Sequence, residues 1–127
     1  MENTPNRIEV DYAKQVGSLP RESRILFYEH FSHALTLSVR GVWSDESLDD
    51  AKKVECMKWL NEIMYRVVLK IAALRLNRNE VPEAETWAAI QHYIWLCPEI
   101  DGHVTVAAIN SYQRVVTDAE LPDNSLK

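Results

Sequence analysis

An all-α fold is predicted by three features of the 127-residue chain. Apolar residues recur at intervals of three and four over four separate stretches, the period of helices that each bury one face. Prolines and carboxylates stand at the starts of those stretches, where they suit a helix N-terminus. Only three glycines occur, too few for a turn-rich β architecture or a glycine-rich phosphate loop. The intervening connections are short. An antiparallel four-helix bundle with an N-terminal arm and a long second helix is therefore expected, divided into an arm or short helix 1–19, bundle 20–120 and polar tail 121–127.

The first 19 residues admit two readings. Ile8, Val10 and Tyr12 alternate with Arg7, Glu9 and Asp11 as in a strand, whereas Ile8, Tyr12 and Val16 share a helical face that Gly17 can end. No partner strand is visible, so a short helix or irregular arm is expected. The first long helix is predicted from Pro20 to Arg40, with Phe27, Phe31, Leu35 and Val39 at i+4 spacing and Gly41 just past its end. The second runs from Ser47 to Leu76, capped by Ser44 or Asp45. Its stripe is Cys56, Leu60, Ile63, Val67, Ile71 and Leu74, and its length is about 45 Å. Trp59 lies off that stripe beside Met57 and Tyr65, so this helix is expected to bury a second face. The third, Pro82 to Leu96, is apolar on nearly every side, as a central or partner-covered helix would be. The fourth runs from Gly102 to Asp118 behind an Asp101 N-cap.

The charge balance is 14 basic against 19 acidic side chains, net −5, which argues against a nucleic-acid binder acting through general basicity. The placement of the acids weakens any functional reading of them. Asp45, Glu46, Asp49 and Asp50 open the second helix and Glu80, Glu83 and Glu85 the third, while Lys70, Arg75 and Arg78 lie near the second helix's end. This is the charge pattern that complements helix dipoles. With 46% hydrophobic residues, the chain is too apolar for wholesale disorder. No apolar run approaches the ~20 residues of a bilayer span, and the N-terminus reads without a secretory signal. A cytoplasmic setting is expected. Cys56 and Cys97, far apart in apolar stretches, are read as two buried thiols.

Catalytic sets are incomplete. His30 and His33 form an HxxH pair beside Glu29, but no glutamate precedes a histidine by three, so the di-iron bundle pattern fails and no metal or cofactor is expected. His30, His33 and His92 remain candidates for lining a small-ligand pocket. Trp43, Trp59, Tyr65 and Trp95 are candidate binding residues, because tryptophan and tyrosine are enriched at interaction hot spots. Arg24 and His30 are separated by five intervening residues on a predicted helix, and this R-x5-H spacing resembles the loose Arg/His signature of the HEPN ribonucleases. The resemblance implies a metal-independent ribonuclease acting across a dimer interface, His30 transferring a proton and Arg24 stabilising phosphate charge. The family tends to place a polar residue after the arginine, and here that residue is Ile25.

The expected function is that of a small acidic protein-binding module without catalysis, of inhibitor, immunity, antitoxin or accessory type, which self-associates through its second or third long helix. The ribonuclease and the small-ligand bundle are the alternatives. A protein partner or a second copy is expected, with no membrane, and nucleic acid only under the ribonuclease alternative.

Overall fold

A computed structural model describes residues 7–125, with side chains described for 12–117. Five α-helices form, and no strand is present among the described residues: α1 (Arg7–Gly17), α2 (Arg21–Trp43), α3 (Asp50–Leu76), α4 (Glu83–Leu96) and α5 (Asp101–Ser125), with a short 3-10 turn at Pro98–Ile100 leading into α5. The all-α expectation holds. Of the two forms expected for the N-terminal segment, the short helix is the one found, as α1, alongside the four long helices. Tyr12 and Val16 of α1 face inward, and the Tyr12 ring lies 5.4 Å from that of Trp87 on α4. The helical reading of this segment therefore wins over the alternating one. The side chains of Ile8 and Val10 lie outside the described residues.

Side-chain pairs give the helix directions. Arg21 at the start of α2 donates to the Leu74 carbonyl near the end of α3, at 2.5 Å, and Thr36 reaches the Met64 sulfur, so α2 and α3 are antiparallel. Gly17 lies against Glu83 while Tyr12 lies against Trp87, so α1 runs antiparallel along α4. α2 packs between α3 and α5, and the 3-10 turn touches α3, α4 and α5. The centre of the core is aromatic. The rings of Phe27, Tyr28 and Phe31 stand 5.5–6.3 Å from the fully buried Trp87. Each such pair adds about 1 kcal/mol beyond simple burial. The Trp87 indole N–H lies close enough to the Tyr28 hydroxyl to influence it, yet outside hydrogen-bond geometry.

Helix ends shift from expectation for identifiable reasons. Asp45 folds back onto the backbone N–H and hydroxyl of Ser47, so the chain turns before α3 starts. Asp49 is the N-cap instead, accepting from the Lys52 N–H at 2.8 Å. Gly41, placed by expectation beyond α2, lies inside it, and α2 ends at Trp43. Asp101 does not cap α5. It is the first residue of that helix, and its carboxylate accepts from the Thr105 hydroxyl. The expected tail is helical as far as Ser125, and residues 126 and 127 lie outside the described residues. Asn77 closes α3 in the left-handed conformation, φ 52°, with the Asn77 and Arg78 N–H groups returning to Leu74 and Ala73. Among the described residues, no helix is long and apolar enough to cross a membrane.

These caps carry measurable stability. Asp49→Ala is expected to lower the unfolding free energy by about 1 kcal/mol. Asn77→Gly is expected to be neutral and Asn77→Ala to cost about 1 kcal/mol, since only Ala is penalised at positive φ. Urea unfolding monitored by circular dichroism measures all three.

Candidate functional site

The core face of α3 contains a lysine. Ile63, Val67, Lys70 and Leu74 fall at successive three- and four-residue steps, and the Lys70 side chain is 1% exposed. An ammonium at such a position requires partners that replace its lost hydration. The segment 78–82 and the first turn of α4 supply them. Lys70 Nζ lies 2.7 Å from Glu80 Oε2 and 3.2 Å from Glu83 Oε2, and donates to the Val81 carbonyl. Arg24 of α2 completes the cluster. Its Nη2 lies 2.6 Å from Glu80 Oε2 and 2.5 Å from Glu83 Oε2, and its Nε donates to Glu83 at 3.1 Å. Tyr28, one turn further along α2, donates to Glu83 Oε1. Two cations and two carboxylates thus neutralise one another where α2, α3 and α4 meet.

The cluster sets its own protonation. Burial favours the neutral form of Glu80, but the Lys70 and Arg24 cations outweigh it and hold the carboxyl below its ordinary 4.5. Burial also opposes the Arg24 charge, and hydrogen bonding and attraction from Glu83 and Glu80 more than restore it. The Tyr28 hydroxyl is pushed well above 10 by burial and by the neighbouring Glu83 charge, so it remains a proton donor. The arrangement is that of an internal staple: both Glu83 oxygens and the faces of Arg24 and Lys70 nearest the core are engaged.

The sequence pattern mistook this cluster for helix punctuation. Glu83 does open α4, yet its carboxylate turns to Arg24 and Lys70. The stripe expected through Ile71 passes instead through Lys70, with Ile71 only half-buried. The signal was present in the 63–67–70–74 spacing, but its partners are 56 and 59 residues from Arg24 and leave no local trace.

Depressions among the described residues adjoin the helices. A pocket of about 270 Å³ borders the cluster and is lined by residues including Arg66, Leu69, Lys70, Glu80 and Thr86. A more open groove of about 460 Å³ lies between α2 and α5, with Leu37, Ser38, Glu99, His103, Val106 and Asn110 among its walls. Neither is lined by the histidines singled out from the sequence. His30 is half-buried on α2, His33 is exposed on the same helix, and His92 is exposed on α4 with its ring 6.2 Å from that of Tyr93. Among the described residues, no group of three or more His, Cys, Asp or Glu side chains is positioned to hold a metal ion.

The aromatic candidates separate into two kinds. Trp59 is half-buried, stacked on Tyr93 at 5.2 Å with Lys58 Nζ 4.7 Å from its ring centre. Trp43, Tyr65 and Trp95 are 64%, 62% and 53% exposed. Cys56 and Cys97, 41 residues apart, meet in the core with their sulfurs 3.7 Å apart. Burial pushes Cys97 up to about 12, helped by the adjacent Cys56, and raises Cys56 as well. Comparisons with protein-family models, curated proteins and solved structures give no match to this chain.

Three outcomes follow from these groups. Lys70→Ala is expected to cost about 3 kcal/mol or more, since it leaves two carboxylates against one cation. Because the folded Glu80 carboxyl titrates below its unfolded value, the stability it contributes is present above pH 4.5 and lost as the pH falls through the lowered value. Glu80→Gln is expected to flatten this acid limb in urea unfolding measured against pH. Separately, iodoacetamide at mildly alkaline pH is expected to leave both native thiols unmodified and to alkylate both in denaturant, as read by intact mass.

Proposed function

We propose that the chain is a small acidic protein-binding module that works without catalysis, of inhibitor, immunity, antitoxin or accessory type, acting in the cytoplasm and self-associating. One observation carries this reading. Trp43, Tyr65 and Trp95 are each more than half exposed, together with leucines and valines on α2, α3 and α5. Large aromatic rings in water are the side chains from which interaction hot spots are built.

The ionisable groups support the same reading. Arg24 Nε and Nη2 are held by Glu80 and Glu83, so a phosphate would have to compete with two carboxylates for this cation. In the ribonuclease alternative that arginine and His30 act on the same substrate. A structural role for Arg24 sets the two apart, because its loss then shows in stability rather than in turnover.

The test measures both. Labelled RNA incubated with the purified chain is expected to remain intact, and Arg24→Ala is expected to lower the urea midpoint. RNA cleavage by the wild-type chain that His30→Ala abolishes, with folding intact, would overturn the proposal in favour of the ribonuclease.

A further inference from the structure

α3 and α4 run antiparallel, and polar contacts mark one end and the middle of their seam. Lys70, late on α3, meets Glu80 and Glu83 at one end. Midway, Trp59 stacks on Tyr93 and Arg66 donates to the Tyr93 hydroxyl. At the far end Cys56 of α3 meets Cys97, the residue that joins α4 to the 3-10 turn, with the sulfurs 3.7 Å apart. Both cysteines are fully buried, yet only one side chain deep. The Cys97 sulfur lies 3.7 Å from Glu99 Oε1, and Glu99 is partly exposed beside Lys52. The sulfurs of a disulfide stand about 2.05 Å apart, so this pair has to close by about 1.7 Å. Cys97, with φ −141° and ψ 80°, lies outside the helical dihedrals of α4. A turn of its side chain and a small backbone shift therefore bring the sulfurs together without unwinding either helix.

We infer that Cys56 and Cys97 are a dithiol–disulfide pair, a site of reversible oxidation by a small disulfide of the glutathione class that locks the far end of the α3–α4 seam. The exchange balances in two steps. One cysteine gives its proton to solvent, and its thiolate attacks a sulfur of the small disulfide, whose S–S bond breaks to release one thiol. The thiolate of the second cysteine then attacks the protein sulfur of that mixed disulfide, the Cys56–Cys97 bond forms, and the second small thiol leaves. Two protein thiols are oxidised, one disulfide is reduced, and the two protons end on the released thiols. Burial acts on this exchange in two ways. It raises both thiols, Cys97 to about 12, so exchange is slow and needs transient exposure beside Glu99. It also withholds stabilisation from the thiolates, which shifts the equilibrium toward the disulfide. Proximity adds the larger effect. Folding already holds together two sulfurs that are 41 residues apart in the chain, so bond formation in the native state costs no further loop closure.

The test compares the full chain with itself, folded and unfolded. The chain is equilibrated with reduced and oxidised glutathione, quenched in acid, alkylated and weighed intact. The oxidised product is expected to be a single chain two hydrogen atoms lighter than the dithiol, with no glutathione attached. The equilibrium constant for forming it is expected to be about a hundredfold or more larger in native buffer than in urea. The oxidised chain is accordingly expected to unfold at a higher urea concentration than the reduced one, with an unchanged native circular dichroism spectrum. Cys56→Ser and Cys97→Ser are each expected to abolish this product and the shift in urea midpoint. An equilibrium constant no larger in native buffer than in urea would overturn the proposal and leave the two cysteines as core filler. A mixed disulfide with glutathione, or a cross-link between chains, as the native end product would overturn it as well.

Discussion

The ammonium of Lys70 constrains the whole arrangement of α2, α3 and α4. A charge that is 1% exposed loses nearly all its hydration, a cost of several kcal/mol that only close, well-oriented anions offset. Those anions cannot come from α3 itself, so they bring in other elements: Glu80 from the segment after Asn77 and Glu83 from the first turn of α4. The two carboxylates then need a second cation, and Arg24 supplies it from α2. Tyr28 takes the remaining Glu83 oxygen. Three helices are thereby fixed in one register by directional bonds, where apolar packing alone would tolerate sliding.

This cluster and the aromatic core reinforce one another. Glu83 and Trp87 stand one turn apart on α4, and Tyr28 touches both. Displacing α4 along its axis would break the carboxylate contacts and unstack Trp87 in the same movement. α1 adds the Tyr12 ring to Trp87 and brings Gly17 against Glu83, where an added Cβ would stand 3.3 Å from the Glu83 side chain. The N-terminal helix thus covers the same α4 turn that the ion cluster holds from the other side.

How much of this was legible in the sequence follows from the range of each interaction. Proline and acid punctuation placed α4 to within a residue, since Pro82 and Cys97–Pro98 act on their immediate neighbours. The apolar steps from Phe27 to Leu35 and from Cys56 to Val67 named buried residues correctly, because helical periodicity is local. The α1 segment was ambiguous for want of length, and packing against Trp87 decides it. Lys70 was read as helix-end charge because burial of a cation depends on carboxylates that arrive only when the chain folds. The Cys56–Cys97 contact was hidden for the same reason. Of the aromatic candidates, sequence placed Trp43, Tyr65 and Trp95 among binding residues but had no means of separating them from the half-buried Trp59, whose cover is the Tyr93 ring on another helix.

Trp87 gives the molecule an internal optical probe. Its indole is enclosed by rings and lacks a well-formed hydrogen bond, whereas Trp43 and Trp95 are largely in water. Indole emission shifts to the blue in apolar surroundings that relax little around the excited dipole. The native spectrum is thus a sum of a blue component from Trp87, a red component from Trp43 and Trp95, and an intermediate one from the half-buried Trp59. A water-soluble quencher would strip away the red component first and leave the signal of the core, so one chain reports separately on its interior and its exterior.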